Sequence, residues 1–331
     1  MAVTIKDVAR EAGVSVATVS RAINGQGSVA PAVRERVLAV ARALDYLPHQ
    51  AARALSSRRT HAVGVVLPDL HGEFFSELVR GIGQVARANG LHLLLSSNHG
   101  DAGEQAVALQ AMRGRVDGVL VMAPTDEGAR VLSAQLPRAL PAVLINTPDP
   151  GDGRRGIRVD NHGGAGAMTR HLLESGHRRI AFIAGPEDNH EARERLRGHC
   201  EALEALLPGT RPWILPGDFD EASGWNAAQR ILVAAQRPDA VFAANDMMAV
   251  GCLHGLAAAG VPVPDEVSLA GFDDIPLARH VHPALTTMKV DIAELGARAM
   301  RALIVPVGGE DAAAALPVVP ELVLRGSSRR T

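Results

Sequence analysis

Few residues in this chain are of types and spacings that could do covalent chemistry, and the motifs that would organise them are missing. Only two lysines occur, Lys6 and Lys289, and neither follows a GxxxxG loop, so a Walker-type nucleotide site is excluded on spelling. There is no GxSxG, HExxH or DxDxDG signature. The run Gly163-Gly164-Ala165-Gly166 after a strand expected over IRVD (157 to 160) approaches a dinucleotide loop but lacks its third glycine. Small residues packing a helix end against a sheet account for it better. Cys200 and Cys252 show no CxxC or Cys/His spacing, and the thirteen histidines form no cluster. Neither a disulfide, a metal nor a cofactor is expected, and the chain is not expected to be an enzyme. What remains is a set of polar residues at the ends of apolar runs: Asp69, Asn146, Asp160, Asn245 and Asp273. In open α/β sheets that position, just past the carboxyl end of a strand, is where ligands bind.

The elements that must position these residues begin at about residue 61. Short apolar runs at 62–68, 91–97, 117–123, 141–146, 179–185, 239–245 and 267–274 alternate with amphipathic helical patterns. Near-continuous apolar strands separated by helices predict parallel sheets covered on both faces, and their number over some 270 residues predicts two doubly wound lobes.

Residues 1–60 have a different texture. Thr4 and Asp7 have capping-box spacing, and Ile5, Val8, Ala9 and Ala12 share one helix face ending at Gly13. Ser15 caps a second helix with Val19 and Ile23 inward and Val16, Ala17, Ser20 and Arg21 outward. Pro31 opens a third, whose Val33, Val37, Val40 and Leu44 cover the other two. Pro48 stops the pattern, and the segment to Thr60 carries a single large apolar residue, Leu55, so it is expected to order only against a partner. The first sixty residues hold nine Lys/Arg against four Asp/Glu, the rest 25 against 32. A basic head on an acidic body points to a polyanion bound at one end. No run is apolar and long enough to span a membrane, and the N-terminus does not read as a signal peptide, so a cytoplasmic protein is expected.

The stretch TIKDVAREAGVSVATVSRAING, with the third helix and the Ala-Arg-Ala-Leu segment after it, resembles the headpiece of the LacI/GalR family of bacterial transcription regulators, most of all its galactose-repressor branch. The resemblance continues through PDLHGEFFSELVRGI, VDNHGGAGAMTRHLLESGHRRIAFIAGP, EARERLRG, FAANDMMAVG and VPVPDEVSLAGFDDIPLARHVHPALTTMKV. It implies a helix-turn-helix headpiece over 1–47, a hinge helix and linker over 48–60, and over 61–331 a periplasmic-binding-protein-like body, its first lobe 61–160 with 292–321 and its second 161–291 with 322–331.

The resemblance assigns residues 15–23 to the DNA major groove. Val16 and Ala17 stand where relatives read base edges and Arg21 where an arginine meets guanine, donating to N7 and O6. Thr4, Lys6, Ser15, Thr18, Ser20 and Asn24 complete the headpiece set, mostly toward phosphates, as do Arg53 and Arg58 from the hinge. Leu55 is the implied minor-groove wedge. In the body the implied effector contacts are Phe74 and Phe75 from one lobe and Phe219 from the other, with Asn146, Arg195, Asn245 and Asp273. Asn146 stands where sugar binders often carry aspartate, and Gly72 where some carry asparagine, which opens the effector's class to a sugar acid, a sugar phosphate, a nucleoside or a purine. The expected function is a sequence-specific regulator, a repressor, binding pseudo-palindromic double-stranded operator DNA as a homodimer under control of a small sugar-like effector. A purine- or nucleoside-responsive corepressor-type regulator and a sugar-binding protein without DNA function are the alternatives. No heptad tail follows LVLRGSSRRT, which favours a dimer over a tetramer.

Overall fold

A computed structural model describes residues 3–24, 29–46, 59–305 and 317–328. The chain divides into a small unit, Met1–Thr60, and a large one, His61–Thr331.

Among the described residues the small unit holds three helices, α1 (Ile5–Glu11), α2 (Val16–Asn24) and α3 (Pro31–Ala43). The Thr4 N–H and hydroxyl both donate to Asp7 Oδ2, at 3.0 and 2.7 Å, which holds the first turn of α1. Gly13 follows its end at φ +63°, a left-handed conformation that suits glycine. Ser15 Oγ accepts from the Thr18 N–H at 3.1 Å at the start of α2. Val8, Ala9, Ala12, Val19, Ala22, Val37 and Ala41 form the buried core, with Ile23, Val33, Val40 and Leu44 packed against it.

Among the described residues the large unit carries two sheets. In chain order the first contains β1 (Ala62–Leu67), α4 (Glu73–Ala88), β2 (His92–Ser97), α5 (Ala102–Met112), β3 (Gly118–Val121), α6 (Asp126–Gln135), β4 (Ala142–Ile145) and β5 (Arg155–Ile157). The second follows with α7 (Asn161–Glu174), β6 (Ile180–Ile183), α8 (His190–Leu206), β7 (Trp213–Leu215), α9 (Glu221–Leu232), β8 (Ala240–Ala243), α10 (Asp246–Ala258), β9 (Ser268–Asp273), a 3-10 turn (Pro276–Arg279) and β10 (Thr286–Lys289). Helix α11 (Ile292–Ile304) returns to pack on β3, β4 and α4, and β11 (Glu321–Val323) closes the second sheet. The strand orders are β2-β1-β3-β4-β5 and β11-β10-β9-β8-β6-β7, all parallel except β11 against β10.

Strands β3, β6, β8 and β9 are buried at every residue, as sheets covered on both faces require. The strand expected over 157–160 lies earlier: β5 pairs Arg155–Ile157 with β4, Val159 only bridges Val318, and Asp160 turns to cap α7 through the Gly163 N–H at 2.9 Å. The glycine run is a packing device. A Cβ on Gly164 would lie 3.0 Å from the Phe272 ring of β9, so the small residue lets α7 settle on the sheet.

Each sheet has one point where its strand order reverses, at β1 beside β3 and at β6 beside β8. Both open crevices at the carboxyl ends of those strands, and these crevices face one another.

Candidate effector cavity and DNA-facing helix

Segments immediately past five strands of the first and second sheets line one cavity of about 470 Å³. Pro68 and Asp69 follow β1, Met122 and Pro124 follow β3, and Asn146 follows β4, while Asn245 follows β8 and Asp273 ends β9. All seven residues singled out for an effector, Phe74, Phe75, Asn146, Arg195, Phe219, Asn245 and Asp273, border it. Phe74 and Phe75 stand on the first turn of α4, their rings edge to face with centroids 5.4 Å apart. Gly72, the residue before that turn, has φ +86°, so glycine there is explained by the backbone.

Phe219 faces them from the second lobe with φ +65°, costly for a bulky side chain. Two contacts hold it. Asn245 Nδ2 donates to its carbonyl at 2.9 Å, and Gly185 leaves room for its ring, since a Cβ there would approach within 2.5 Å. Asn245 Oδ1 also accepts from the Met248 N–H as the cap of α10. Expected as a ligand contact, Asn245 therefore already serves to fix an aromatic wall. Asn146 likewise uses Oδ1, accepting from the Val159 N–H at 3.1 Å, while its Nδ2 has no acceptor among the described residues.

Arg195 is the centre of a buried network. Its Nε donates to Asn161 Oδ1 at 2.6 Å, Nη1 to the Ala244 carbonyl at 2.5 Å and Nη2 to Asp273 Oδ1 at 3.0 Å. The guanidinium lies 3.9 Å from the Phe272 ring centroid and 5.9 Å from that of Phe219, within cation–π range of both. Burial pushes the Asp273 carboxyl up to about 6 against the pull of Arg195. Behind it, burial and the charge of Asp273 raise Asp246 well above the carboxylate range, although Asp246 accepts from the Thr287 hydroxyl and the Ile275 N–H.

Glu191 escaped sequence reasoning. It is only 6% exposed, borders the cavity, and accepts from Asn161 Nδ2 through Oε2. Burial pushes it up to about 7, the Arg195 charge and the Asn161 hydrogen bond opposing. Its spacing to Arg195, one helical turn on α8, was the available signal.

The lobes clasp on two sides of the cavity. Thr125 and Asn189 form a β-bridge, the His190 N–H donates to the Pro124 carbonyl at 2.8 Å, and Arg193 meets Asp126 at 3.1 Å. Elsewhere Glu73 Oε2 accepts from the Leu277 N–H at 2.6 Å.

In the small unit, Val16, Ala17 and Arg21 share an exposed face of α2, with Val16 41% exposed despite being apolar. Arg21 Nε donates to the Ala17 carbonyl at 3.3 Å, leaving its terminal nitrogens for other partners. Thr4, Lys6 and Ser15 are exposed and Thr18 and Ser20 half-buried, with the Ser15 and Thr18 hydroxyls 2.9 Å apart. Asn24 ends α2. Arg53, Leu55 and Arg58 lie outside the described residues.

Comparison with known proteins matches residues 4–49 to the profile of bacterial regulatory proteins of the lacI family, and residues 169–328 to a periplasmic binding protein-like domain. Catabolite control protein A of Priestia megaterium is 35% identical over 308 residues, 92% of either chain. Among solved structures, the lac repressor dimer bound to operator and the anti-inducer ONPF aligns over 99% of both chains with TM-score 0.84 and 27% identity. The complex of the transcriptional regulator CelR with cellobiose aligns over 98% of this chain and all of the other, with TM-score 0.70 and 32% identity.

Proposed function

The chain belongs to the lacI family of bacterial regulatory proteins, and from that premise we propose that it is a repressor whose hold on operator DNA is set by a sugar bound between its two lobes. One observation carries the effector half of this reading: a single cavity is bordered by aromatic rings from both lobes and by a buried Arg195–Asp273 pair. Apolar rings suit the C–H face of a pyranose, and paired donors and acceptors suit vicinal hydroxyls. CelR, similar in structure, is described with cellobiose, which supports a sugar over a purine.

In this reading α2 enters the major groove. Val16 and Ala17 meet base edges and Arg21 a guanine, while Thr4, Lys6, Ser15, Thr18, Ser20 and Asn24, with Arg53 and Arg58, hold phosphates. Leu55 wedges a central base step. Residues 1–47, 48–60 and 61–331 act as headpiece, hinge and sensor, and two chains read half-sites about one helical turn apart. The protein works in the cytoplasm by binding alone, without catalysis; Arg195 and Asn245 are tied into scaffolding hydrogen bonds rather than arranged around a nucleophile.

Control follows from linkage. A sugar that binds the clasped lobes better than the separated ones shifts their balance, and operator DNA must change sugar affinity by the same factor. Titrating labelled promoter DNA with the full chain, by fluorescence anisotropy with and without each of a panel of sugars, tests the reading. A sugar that shifts operator affinity supports it; a shift by purines alone overturns the effector half.

A further inference from the structure

The cavity's charge is one-sided. Asp69, Asp188, Asp218, Asp220, Glu221 and Asp273 border it together with Glu191. Against them one guanidinium stands among the described lining residues, Arg195, already engaged with Asp273, Asn161 and the Ala244 carbonyl, while the Arg158 charge acts on Glu191 from outside the lining. His71 and His99 lie at the exposed rim.

Anions in proteins are commonly held by free guanidinium forks or by the unsatisfied N–H groups of helix N-termini. Four helices start around this cavity, and each start is already capped by its own side chain. The Gly128 N–H is taken by Thr125, Ala192 by Asn189, Ser223 by Asp220 and Met248 by Asn245. A fifth, α4, begins with Glu73, whose charge repels an anion. Glu191, by contrast, is satisfied at one oxygen only. Asn161 donates to Oε2, and Oε1 has no donor among the described residues.

We propose that Glu191 is the specificity-determining group of this site: Oε1 accepts from a hydroxyl or ammonium group of the effector, and with the surrounding carboxylates it restricts the effector to neutral or amino sugars, excluding sugar phosphates and sugar acids. The inference rests on the sugar-effector reading above and narrows it.

The test uses the full-length wild-type chain and matched probes. For common aldoses and disaccharides, the neutral sugar, its 2-amino analogue, its phosphate and its uronate are compared by thermal shift and then calorimetry, with adenine, hypoxanthine and nucleosides as a separate arm. At about pH 8, above the value of about 7 to which burial pushes Glu191 and where its carboxyl is therefore ionised, at least one neutral or amino sugar binds, and its phosphate and uronate bind at least about tenfold more weakly, as expected for one close like charge in a partly screened site. A phosphate or uronate that binds more tightly than its parent overturns this inference and leaves the sugar reading standing. Binding by purines or nucleosides alone, or by no probe, overturns both. In Glu191→Gln the preference for the neutral sugar over its anionic partners shrinks about tenfold; an unchanged preference removes Glu191 from the role, and the wild-type panel decides the charge rule even if that variant fails to fold.

Discussion

Glu191 gives the sharpest stability prediction. Its carboxyl is buried beside Asn161 and Arg195, with Arg158 and Asp273 also acting on its charge, and burial lifts it from an ordinary 4.5 to about 7. Between those values the folded protein holds the proton more tightly than the unfolded chain does. The stability linked to this group is therefore fullest below about pH 4.5 and is lost as pH rises through about 7. For a displacement of about 2.5 pH units, the loss between about pH 5 and about pH 8 comes to about 2.5 kcal/mol. Glu191→Gln keeps the shape and an acceptor for Asn161 but removes the titration. The assay is guanidinium unfolding followed by tryptophan fluorescence, which reports the large unit because Trp213 and Trp225 both lie in it. Relative to the variant, the wild type should be less stable at about pH 8 than at about pH 5 by that amount. A difference between the two proteins that does not change with pH would refute the reasoning, since other carboxylates, Asp246 and Asp273 included, titrate in both.

Arg195→Ala strands the buried carboxylate of Asp273 and should destabilise the large unit by about 3–5 kcal/mol in the same unfolding assay. At temperatures where that variant is still folded it should hold operator DNA but ignore the effector in anisotropy titrations, leaving genes repressed if the effector releases DNA and derepressed if it is a corepressor. Gly185→Ala pushes the Phe219 ring out of place and should weaken effector binding more than about tenfold by calorimetry, with operator affinity unchanged. Glu73→Ala removes the acceptor for the Leu277 N–H, a hydrogen bond to a charged group worth about 1.5–3 kcal/mol, and should lower effector affinity by favouring separated lobes; Glu73→Gln should restore part of it. Arg21→Ala should reduce discrimination at one base pair by about 1–3 kcal/mol, measured on a set of singly substituted operators, and equal loss on operator and random DNA would remove it from base reading.

The architecture was legible in the chain because it is written in short-range patterns. Three strands, β7, β10 and β11, fall outside the expected apolar runs. Two of these, β7 and β11, are three residues long with mixed exposure, and Thr286, Thr287, Met288 and Lys289 of β10 do not read as an apolar run although three of them are buried. Strand β5 is expected over 157–160 and forms two residues earlier, at Arg155–Ile157, because period alone does not tell a paired residue from one already turning toward a helix cap. Polar residues at strand ends marked the cavity: Asp69, Asn146, Asn245 and Asp273 border it, since parallel sheets deliver their carboxyl ends to a common edge, while Asp160 is taken up as a helix cap outside its lining. Residue types alone settled that this is a small basic helical unit followed by a large acidic α/β one, with no spelled catalytic signature. What each cavity residue does was decided only by the fold. Asn245 turned out to pin an aromatic wall, Arg195 to commit three of its five N–H groups to partners up to 78 positions away, and Glu191 to present a half-satisfied carboxylate to the cavity. Hydrogen-bond satisfaction and desolvation depend on neighbours brought from distant segments, and no local pattern carries that information.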